Sequence, residues 1–274
     1  MTQNQHHDRA DEEFTRIPIF VITYDRITVL QRAIRSYESC LQDKVEVIFH
    51  DNGSTYPPML NFLDEVESAG ATVFRTGRRV RRPQDLNSVA DSVSSWMARH
   101  PKVNHYIVTD PDVELLGPCP DLIELYKHLL DSFNVDVVGP MLRIDDLPDA
   151  YPLKAEVIRR HTDQFWHKTP EHLVWRNRLV EYQHAAIDST FGFYRGGYRF
   201  HRLTEGLRTY QPYWARHLDW YLDPEQLAPD QAYYLAHASD VAHWSGKWLK
   251  NALTSKPTTG RWRRILKSAR VRLR

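Results

Sequence analysis

The chain has 274 residues, of which 42% are hydrophobic and 26% are charged, and its formal net charge is +1. This is enough apolar material for a full core, so we expect one large α/β domain, with or without appendages. The sequence has no apolar run long enough to span a bilayer and no apolar signal core in its polar N-terminus, which argues against an integral membrane protein and favours a cytoplasmic one.

Strand and helix patterns alternate through the first half of the chain. Runs of β-branched and aromatic residues predict strands at 17–23, 45–49, 72–74 and 105–109. Apolar residues at helical spacing predict helices between them at 28–41, 57–68 and 84–99. Strands that alternate with helices pair in parallel through right-handed crossovers, so we predict an α/β fold with a mainly parallel central sheet.

Polar and charged residues follow each of the first three predicted strands. Thr23, Tyr24 and Asp25 follow the first, and Asp51 opens an Asp-Asn-Gly-Ser turn after the second. Such groups can bind a base or a ribose, while a helix cap and an Asx turn are the structural alternatives. After the third strand come Arg75, Arg78, Arg79, Arg81 and Arg82. The guanidinium fork suits phosphate, although a solvated charge run is the alternative.

Asp110-Pro111-Asp112 follows the fourth predicted strand directly. Proline favours an extended conformation for the residue before it, and residues two apart in an extended segment face the same side. We therefore expect the two carboxylates to project together from the C-terminal end of a strand, where open α/β sheets bind ligands. Such oxygen ligands can hold Mg²⁺ or Mn²⁺ against a diphosphate, and a solvated turn is the alternative.

The second half of the chain has a less regular pattern. We predict a helix at 121–133, a strand at 135–138, a strand-rich segment at 182–195 and a helix that begins at Asp230. The aromatic and basic stretch 161–179 does not follow either period, so it receives no assignment.

Both ends of the chain differ in composition from the middle. Residues 1–16 are polar and are expected to form a disordered tail, whereas residues 17–246 contain no linker and are expected to form one domain. Within segment 247–274, basic and apolar residues alternate from position 261 to 274, which is typical of a basic amphipathic helix. This favours an anionic membrane surface as a partner, with a solvated tail as the second interpretation and nucleic acid as the third.

Several common sites are not supported by the sequence. Cys40 and Cys119 lie far apart and lack metal-type spacing, which fits two ordinary thiols in a reducing compartment. None of the 14 histidines belongs to a helical zinc motif. Neither a Gly-rich phosphate loop nor a dinucleotide fingerprint is present.

Taken together, the strand-end motifs resemble the GT-A nucleotide-sugar glycosyltransferases, most closely those of the family-two type. The resemblance rests on Ile22-Thr23-Tyr24-Asp25-Arg26, Asp51-Asn52-Gly53-Ser54 and Asp110-Pro111-Asp112, and it covers roughly residues 17–246. It implies a GT-A, Rossmann-like α/β/α sandwich in which Thr23, Tyr24, Asp25 and Asp51 hold the base and ribose of the donor. It also implies that Asp110 lies near the ribose or the metal, and that Asp112 is a ligand of Mn²⁺ or Mg²⁺. Arg75, Arg78 and Arg79 complete the predicted donor site.

The same resemblance extends to the second half of the chain. Residues 187–195 look like the small-residue loop of that family, and Pro229-Asp230-Gln231 looks like its acidic residue at the start of a helix. This implies Asp230 as the catalytic base, with Asp188 as its rival. His243 is the implied histidine ligand of the metal, and His237 is the alternative.

The implied activity is metal-dependent transfer of a sugar from a nucleoside diphosphate donor, UDP- or GDP-linked, to an acceptor hydroxyl. The acceptor would be a carbohydrate or a lipid-linked molecule, and inversion of the anomeric centre follows from the resemblance alone. We expect a cytoplasmic enzyme, with peripheral binding at the inner face of the membrane through segment 247–274. A sugar nucleotidyltransferase and a non-catalytic nucleic-acid-binding protein are the alternatives.

Overall fold

A computed structural model describes residues 16–82, 85 and 87–238, and within them ten strands form one sheet. The strands are β1 (Ile17–Thr23), β2 (Val45–Asp51), β3 (Val73–Arg75), β4 (His105–Thr109), β5 (Val113–Leu115), β6 (Val137–Leu142), β7 (Glu171–Trp175), β8 (Arg178–Ile187), β9 (Gly192–Arg195) and β10 (Thr204–His217). The described α-helices are α1 (Ile27–Leu41), α2 (Pro57–Ser68), α3 (Val89–Arg99), α4 (Leu122–Phe133), α5 (Lys154–His161) and α6 (Pro229–His237). None of these helices is both long and apolar enough to cross a bilayer.

The core of the sheet is parallel, as predicted. Its order is β3-β2-β1-β4-β9-β6-β10-β8-β7, with β5 paired to β10. The neighbours from β3 to β4 are all parallel, and β6 is parallel to β10. The second half adds antiparallel pairs. One of them is a hairpin, in which a two-residue turn at Arg176 and Asn177, both at positive φ, folds β7 back onto β8.

Helices cover both faces of this sheet, so the predicted α/β/α layering is confirmed. On one face, α1, α2 and α4 bury their apolar residues with Ile19 and Val21 of β1. On the other face, α3 packs Trp96 edge-on against Phe20, with 6.1 Å between the ring centroids. Strand β1 is thus buried on both sides, which explains its continuous apolar sequence.

The second half corrects several sequence predictions. The strand predicted at 135–138 is displaced, because β6 runs through Gly139 and Pro140, which normally interrupt strands. The unassigned stretch 161–179 contains a short π-helical turn (Thr162–Trp166) and strand β7. The tail at 1–16, except Arg16, and the segment 247–274 lie outside the described residues, so both remain predictions.

The two cysteines are neighbours in space despite their separation in sequence. The Cys40 thiol donates to the carbonyl of Gly117 at 2.7 Å, and the Cys119 sulfur lies 3.5 Å from the same oxygen. Both are free thiols in a buried environment, which the spacing of the residues in the chain did not indicate.

Candidate active site

The loops after β1, β2, β3 and β4 meet at one edge of the sheet and enclose two connected spaces. The smaller space, the inner pocket, is lined by Ile22, Thr23, Tyr24, Arg26, Asn52, Arg79, Val80, Asp110, Pro111, Arg202 and Tyr234. The larger space, the outer groove, has a volume of about 1160 Å³ and is lined by His50, residues 52–55, residues 74–82, Asp85, Ser88, Asp91 and Ser92. Asn52, Arg79 and Val80 line both, so the two spaces are adjacent, and together they are called the cleft. The predicted convergence of strand ends is therefore present.

Tyr24 and Arg79 form one wall of the inner pocket. The Arg79 guanidinium lies over the Tyr24 ring at 5.9 Å from its centroid and donates to the Thr55 hydroxyl at 2.9 Å. The Tyr24 hydroxyl is buried and has no hydrogen-bond partner among the described residues. Burial raises the pKa of Tyr24 to about 12, so the hydroxyl stays protonated and can donate to a ligand.

Asp51 and Asp25 shape the loops instead of facing the cleft. The Asp51 carboxylate accepts from the backbone N–H groups of Gly53 at 3.2 Å and Ser54 at 3.0 Å, an Asx-type turn. Asp25, at a φ of 56°, accepts from the N–H groups of Thr55 and Tyr56 where α2 begins.

Gly53 is needed for the close packing of two cleft loops. Its φ is +76°, and a Cβ at this position would lie 3.1 Å from the backbone of Arg78. A glycine adopts this conformation without strain, so the turn after β2 can lie directly against the loop after β3.

The three arginines of the predicted donor site have different surroundings. Arg79 lines both spaces, whereas Arg75 and Arg78 line only the outer groove. Arg75 is also tied to α2 through Asp64 at 2.6 Å and Glu67 at 3.0 Å. Of the three, Arg79 is therefore the best placed to meet a ligand in the inner pocket.

Asp110 lies in the wall of the inner pocket and is held by Ser189. The Ser189 hydroxyl donates to the Asp110 carboxylate at 2.7 Å, and the Asp110 N–H donates to the Ser189 carbonyl at 2.6 Å. Burial raises the pKa of Asp110, the Arg202 guanidinium opposes this change, and the charge of Asp112 adds to it. The Asp110 carboxylate thus lies near both a cation and a second acid.

Asp112 points away from the inner pocket into a buried ion cluster. Its Oδ2 accepts from Arg26 Nη1 at 2.9 Å, and the same Nη1 donates to Asp219 at 2.5 Å. Burial lowers the pKa of Arg26, but Asp112 and Asp219 hold it well above its ordinary value. The Arg26 guanidinium also lies 4.6 Å from the centroid of the Tyr234 ring. Arg26 therefore stands where the sequence predicted a metal beside Asp112.

The described residues do not fit a preformed Mn²⁺ or Mg²⁺ centre. No group of three or more His, Cys, Asp or Glu residues is placed to hold a metal within the part of the chain that the structure describes. Such ions take several oxygen ligands, yet Asp112 is 1% exposed and its Oδ2 is bound to Arg26, so that only its buried Oδ1, which has no hydrogen-bond partner among the described residues, is left as a ligand. His237 points its Nδ1 at the Tyr233 carbonyl at 2.8 Å, and His243 lies outside the described residues.

The two predicted base candidates have contrasting surroundings. Asp230 is 2% exposed, and its carboxylate accepts from the N–H and the hydroxyl of Thr28 at 2.7 and 2.8 Å. The Asp188 side chain is 40% exposed and lies 3.6 Å from Arg208. Burial raises the pKa of Asp188, but Arg208 and a hydrogen bond from Thr190 outweigh burial and leave this pKa below its ordinary value. Asp188 is therefore an accessible carboxylate that is ionised at neutral pH.

Several residues that line the cleft were not predicted from the sequence to be site residues. Arg26 and Asn52 stand inside the recognised motifs, so their positions offered a signal. Arg202 and Tyr234 come from distant segments without a motif, and only the fold brings them to the inner pocket.

Comparison with protein-family models and with curated proteins gives no match. Among solved structures, the mannosyltransferase PcManGT from Pyrobaculum calidifontis, in complex with GDP-Man and Mn²⁺, is 13% identical, with 93% of this chain and 79% of that chain covered and a TM-score of 0.38. TarS 1–349 from S. aureus is 11% identical, with 90% and 74% covered and a TM-score of 0.43. Glucosyl-3-phosphoglycerate synthase from Mycobacterium tuberculosis, in complex with phosphoglyceric acid, is 14% identical, with 66% and 56% covered and a TM-score of 0.36. These are distant likenesses of overall fold with TM-scores below 0.5, and they decide neither the activity nor the substrate of this chain.

Proposed function

We propose that the protein is a glycosyltransferase that moves a sugar from a nucleoside diphosphate donor to an acceptor hydroxyl. One observation carries this proposal: the inner pocket, with Tyr24, Arg79, Asp110 and Arg202 in its wall, adjoins a groove of about 1160 Å³ at the carboxyl ends of parallel strands. Open α/β sheets bind their ligands at this edge. The groove has room for a nucleoside, and the pocket offers groups that bind phosphate and sugar.

The outer groove would hold the base of a UDP- or GDP-linked donor. Asn52 and His50 are among its lining residues, and the Ser88 hydroxyl contacts the Asn52 side-chain oxygen Oδ1 at 3.2 Å and His50 Nε2 at 3.1 Å. Since His50 Nδ1 also contacts Ser92 at 2.8 Å, both ring nitrogens are engaged, and the network fixes the orientation of the Asn52 amide, which would contact the base.

The ribose and the diphosphate would lie where the outer groove meets the inner pocket, because the inner pocket has a volume of only about 50 Å³ and admits only part of them. The Asp110 carboxyl group can accept a hydrogen bond from a ribose hydroxyl. The Tyr24 hydroxyl, which lies near Asp25 but meets the geometry of a hydrogen bond with none of the described residues, supplies a neutral donor. Arg79 presents a guanidinium to phosphate oxygens.

Asp188 would act as the general base. It is accessible and ionised, and its neighbour Ser189 holds Asp110, so it borders the donor site. In the proposed step Asp188 takes the proton of the acceptor hydroxyl, whose oxygen attacks the anomeric carbon. The bond from that carbon to the diphosphate breaks, and its electron pair leaves with the diphosphate oxygen. A single displacement of this kind inverts the anomeric centre.

The acceptor would approach from the side of the π-helical turn. Phe165 of this turn lies 4.9 Å from the guanidinium of Arg208, the residue that pairs with Asp188. An aromatic face next to the base suits a carbohydrate or lipid-linked acceptor. Peripheral membrane binding through segment 247–274 remains a separate proposal.

A thermal-shift panel with UDP, GDP and their sugar conjugates tests this function. A ligand at about 100 times its Kd stabilises the folded state by about 2.7 kcal/mol, so the Tm should rise with one nucleotide series. Asp110→Asn should reduce this rise, because the carboxylate lies in the pocket wall. Asp145→Asn is the matched control, since the Asp145 side chain is 65% exposed in another loop. If no nucleoside diphosphate raises the Tm, the proposed function is refuted.

A further inference from the structure

Two arginines of the inner pocket differ from most others in the structure, because no carboxylate pairs with them among the described residues. Arginines elsewhere, such as Arg75, Arg178 and Arg216, are bound to acids. Arg26 shares the inner pocket but is held between two carboxylates. Arg79 and Arg202 thus line the inner pocket with guanidinium groups that no described carboxylate binds directly, although acids lie nearby.

Building on the function proposed above, we propose that Arg202 and Arg79 bind the leaving diphosphate directly, and that donor binding does not depend on a divalent metal. Arg202 is then a catalytic residue. The negative charge that develops on the diphosphate, as its bond to the anomeric carbon breaks, falls on two fixed guanidinium groups. Preorganised cations of this kind stabilise a transition state without reorganisation.

The position of Arg202 is fixed by its loop, which connects β9 to β10. The Arg202 N–H donates to the Asn87 side chain at 2.9 Å. Phe200, two residues earlier, is 1% exposed within the core cluster of α3. The start of the loop is anchored where the Gly196 N–H donates to the Asn104 carbonyl at 2.6 Å. A loop held at three points presents its arginine in one place.

Two neighbours show that Arg202 faces the reaction centre. It lines the inner pocket together with Asp110, and its charge lowers the pKa of both Asp110 and Asp188. Arg202 therefore lies near the proposed donor subsite and near the proposed base, which is where a leaving diphosphate would gain charge.

Arg79 approaches the pocket from the loop after β3. Its only described polar contact is the neutral Thr55 hydroxyl, and its guanidinium lies over the Tyr24 ring. These contacts orient the Arg79 guanidinium, and neither partner carries a negative charge that would neutralise it. Two such forks can bind phosphate oxygens in bidentate fashion, whereas Asp112, the predicted metal ligand, already binds Arg26.

The test is calorimetric binding of UDP and GDP, and of the corresponding uncharged nucleosides, in EDTA and then with Mn²⁺ or Mg²⁺. We expect the wild-type protein to bind one diphosphate in EDTA with a Kd within about twofold of its value with metal. Arg202→Gln should weaken diphosphate binding about tenfold or more and leave nucleoside binding unchanged. It should also lower kcat by about 10²–10³ at saturating donor, and Arg202→Lys should restore part of both.

Arg199→Gln is the matched control on the same loop, because Arg199 pairs with Asp91 and its side chain is 59% exposed. This variant should bind and turn over as the wild type does. Diphosphate binding that requires metal would support the proposed function but overturn the arginine proposal. Unchanged diphosphate binding in a folded Arg202→Gln protein would also overturn it. Absence of binding under every condition would refute both.

Discussion

Asp230 is predicted to stabilise the fold, and its removal should cost stability without reducing turnover. Helix α1 has no side-chain cap of its own and no acidic residue in its first turn. Asp230 supplies this cap from α6, accepting two hydrogen bonds from Thr28 at 2.7 and 2.8 Å. A hydrogen bond to a charged group contributes about 1.5–3 kcal/mol, and a buried N–H left unpaired adds to the loss. We therefore expect Asp230→Ala to lower the free energy of unfolding by about 3 kcal/mol.

Urea unfolding measures the stability loss, and kcat is measured at a temperature where the variant stays folded. Thr28→Val is the companion variant, because it removes the hydroxyl contact and keeps the backbone N–H. The double variant should show a coupling energy of about 1 kcal/mol. If Asp230→Asn keeps the stability of the wild type but loses turnover by orders of magnitude, Asp230 is the base and the reasoning from its contacts is wrong.

The remaining predictions concern Asp188 and His50. Asp188→Asn should lower kcat by about 10²–10⁴ with little change in nucleotide affinity by calorimetry, and full activity would remove Asp188 from the mechanism. Burial lowers the pKa of His50 to about 4. Below the ordinary pKa of histidine, His50 therefore binds a proton in the unfolded state but stays neutral in the folded state. This group should therefore cost about 3 kcal/mol of stability as the pH falls from 6.5 to 4. His50→Asn should flatten the plot of unfolding free energy against pH in that window, and an unchanged slope would contradict it.

The first half of the fold could be predicted because its signals are local. Parallel strands buried on both faces, such as β1 and β4, have continuous apolar sequences, and their helices have clear helical spacing. The second half mixes a π-helical turn, a hairpin and a strand through Pro140, and each departs from a single period. Local pattern therefore stops being informative where the sheet changes from parallel to mixed.

For the candidate site, the sequence indicated which residues lie there but not which residues they contact. Tyr24, Arg79 and Asp110 could be placed from sequence, because strand ends determine which loops meet. The contacts of Asp112 and Asp230 could not be predicted from sequence. Asp112 pairs with Arg26, 86 residues away, and Asp230 caps the helix at Thr28, 202 residues away. A carboxylate that binds a ligand and one that caps a helix look alike in a sequence. Arg202 had no motif at all.

The contacts of the acidic residues determine how much negative charge faces a ligand in the cleft. Left unpaired, Asp112 would add a second negative charge close to Asp110, and the two together would repel a diphosphate. Arg26 reduces this repulsion only in part, because its single positive charge is shared between Asp112 and Asp219. Asp25 and Asp51 direct their carboxylates at backbone N–H groups. Among the described residues that line the inner pocket, Arg79 and Arg202 are the arginines that no carboxylate binds, and the arginine proposal requires their charge to outweigh that of the nearby acids.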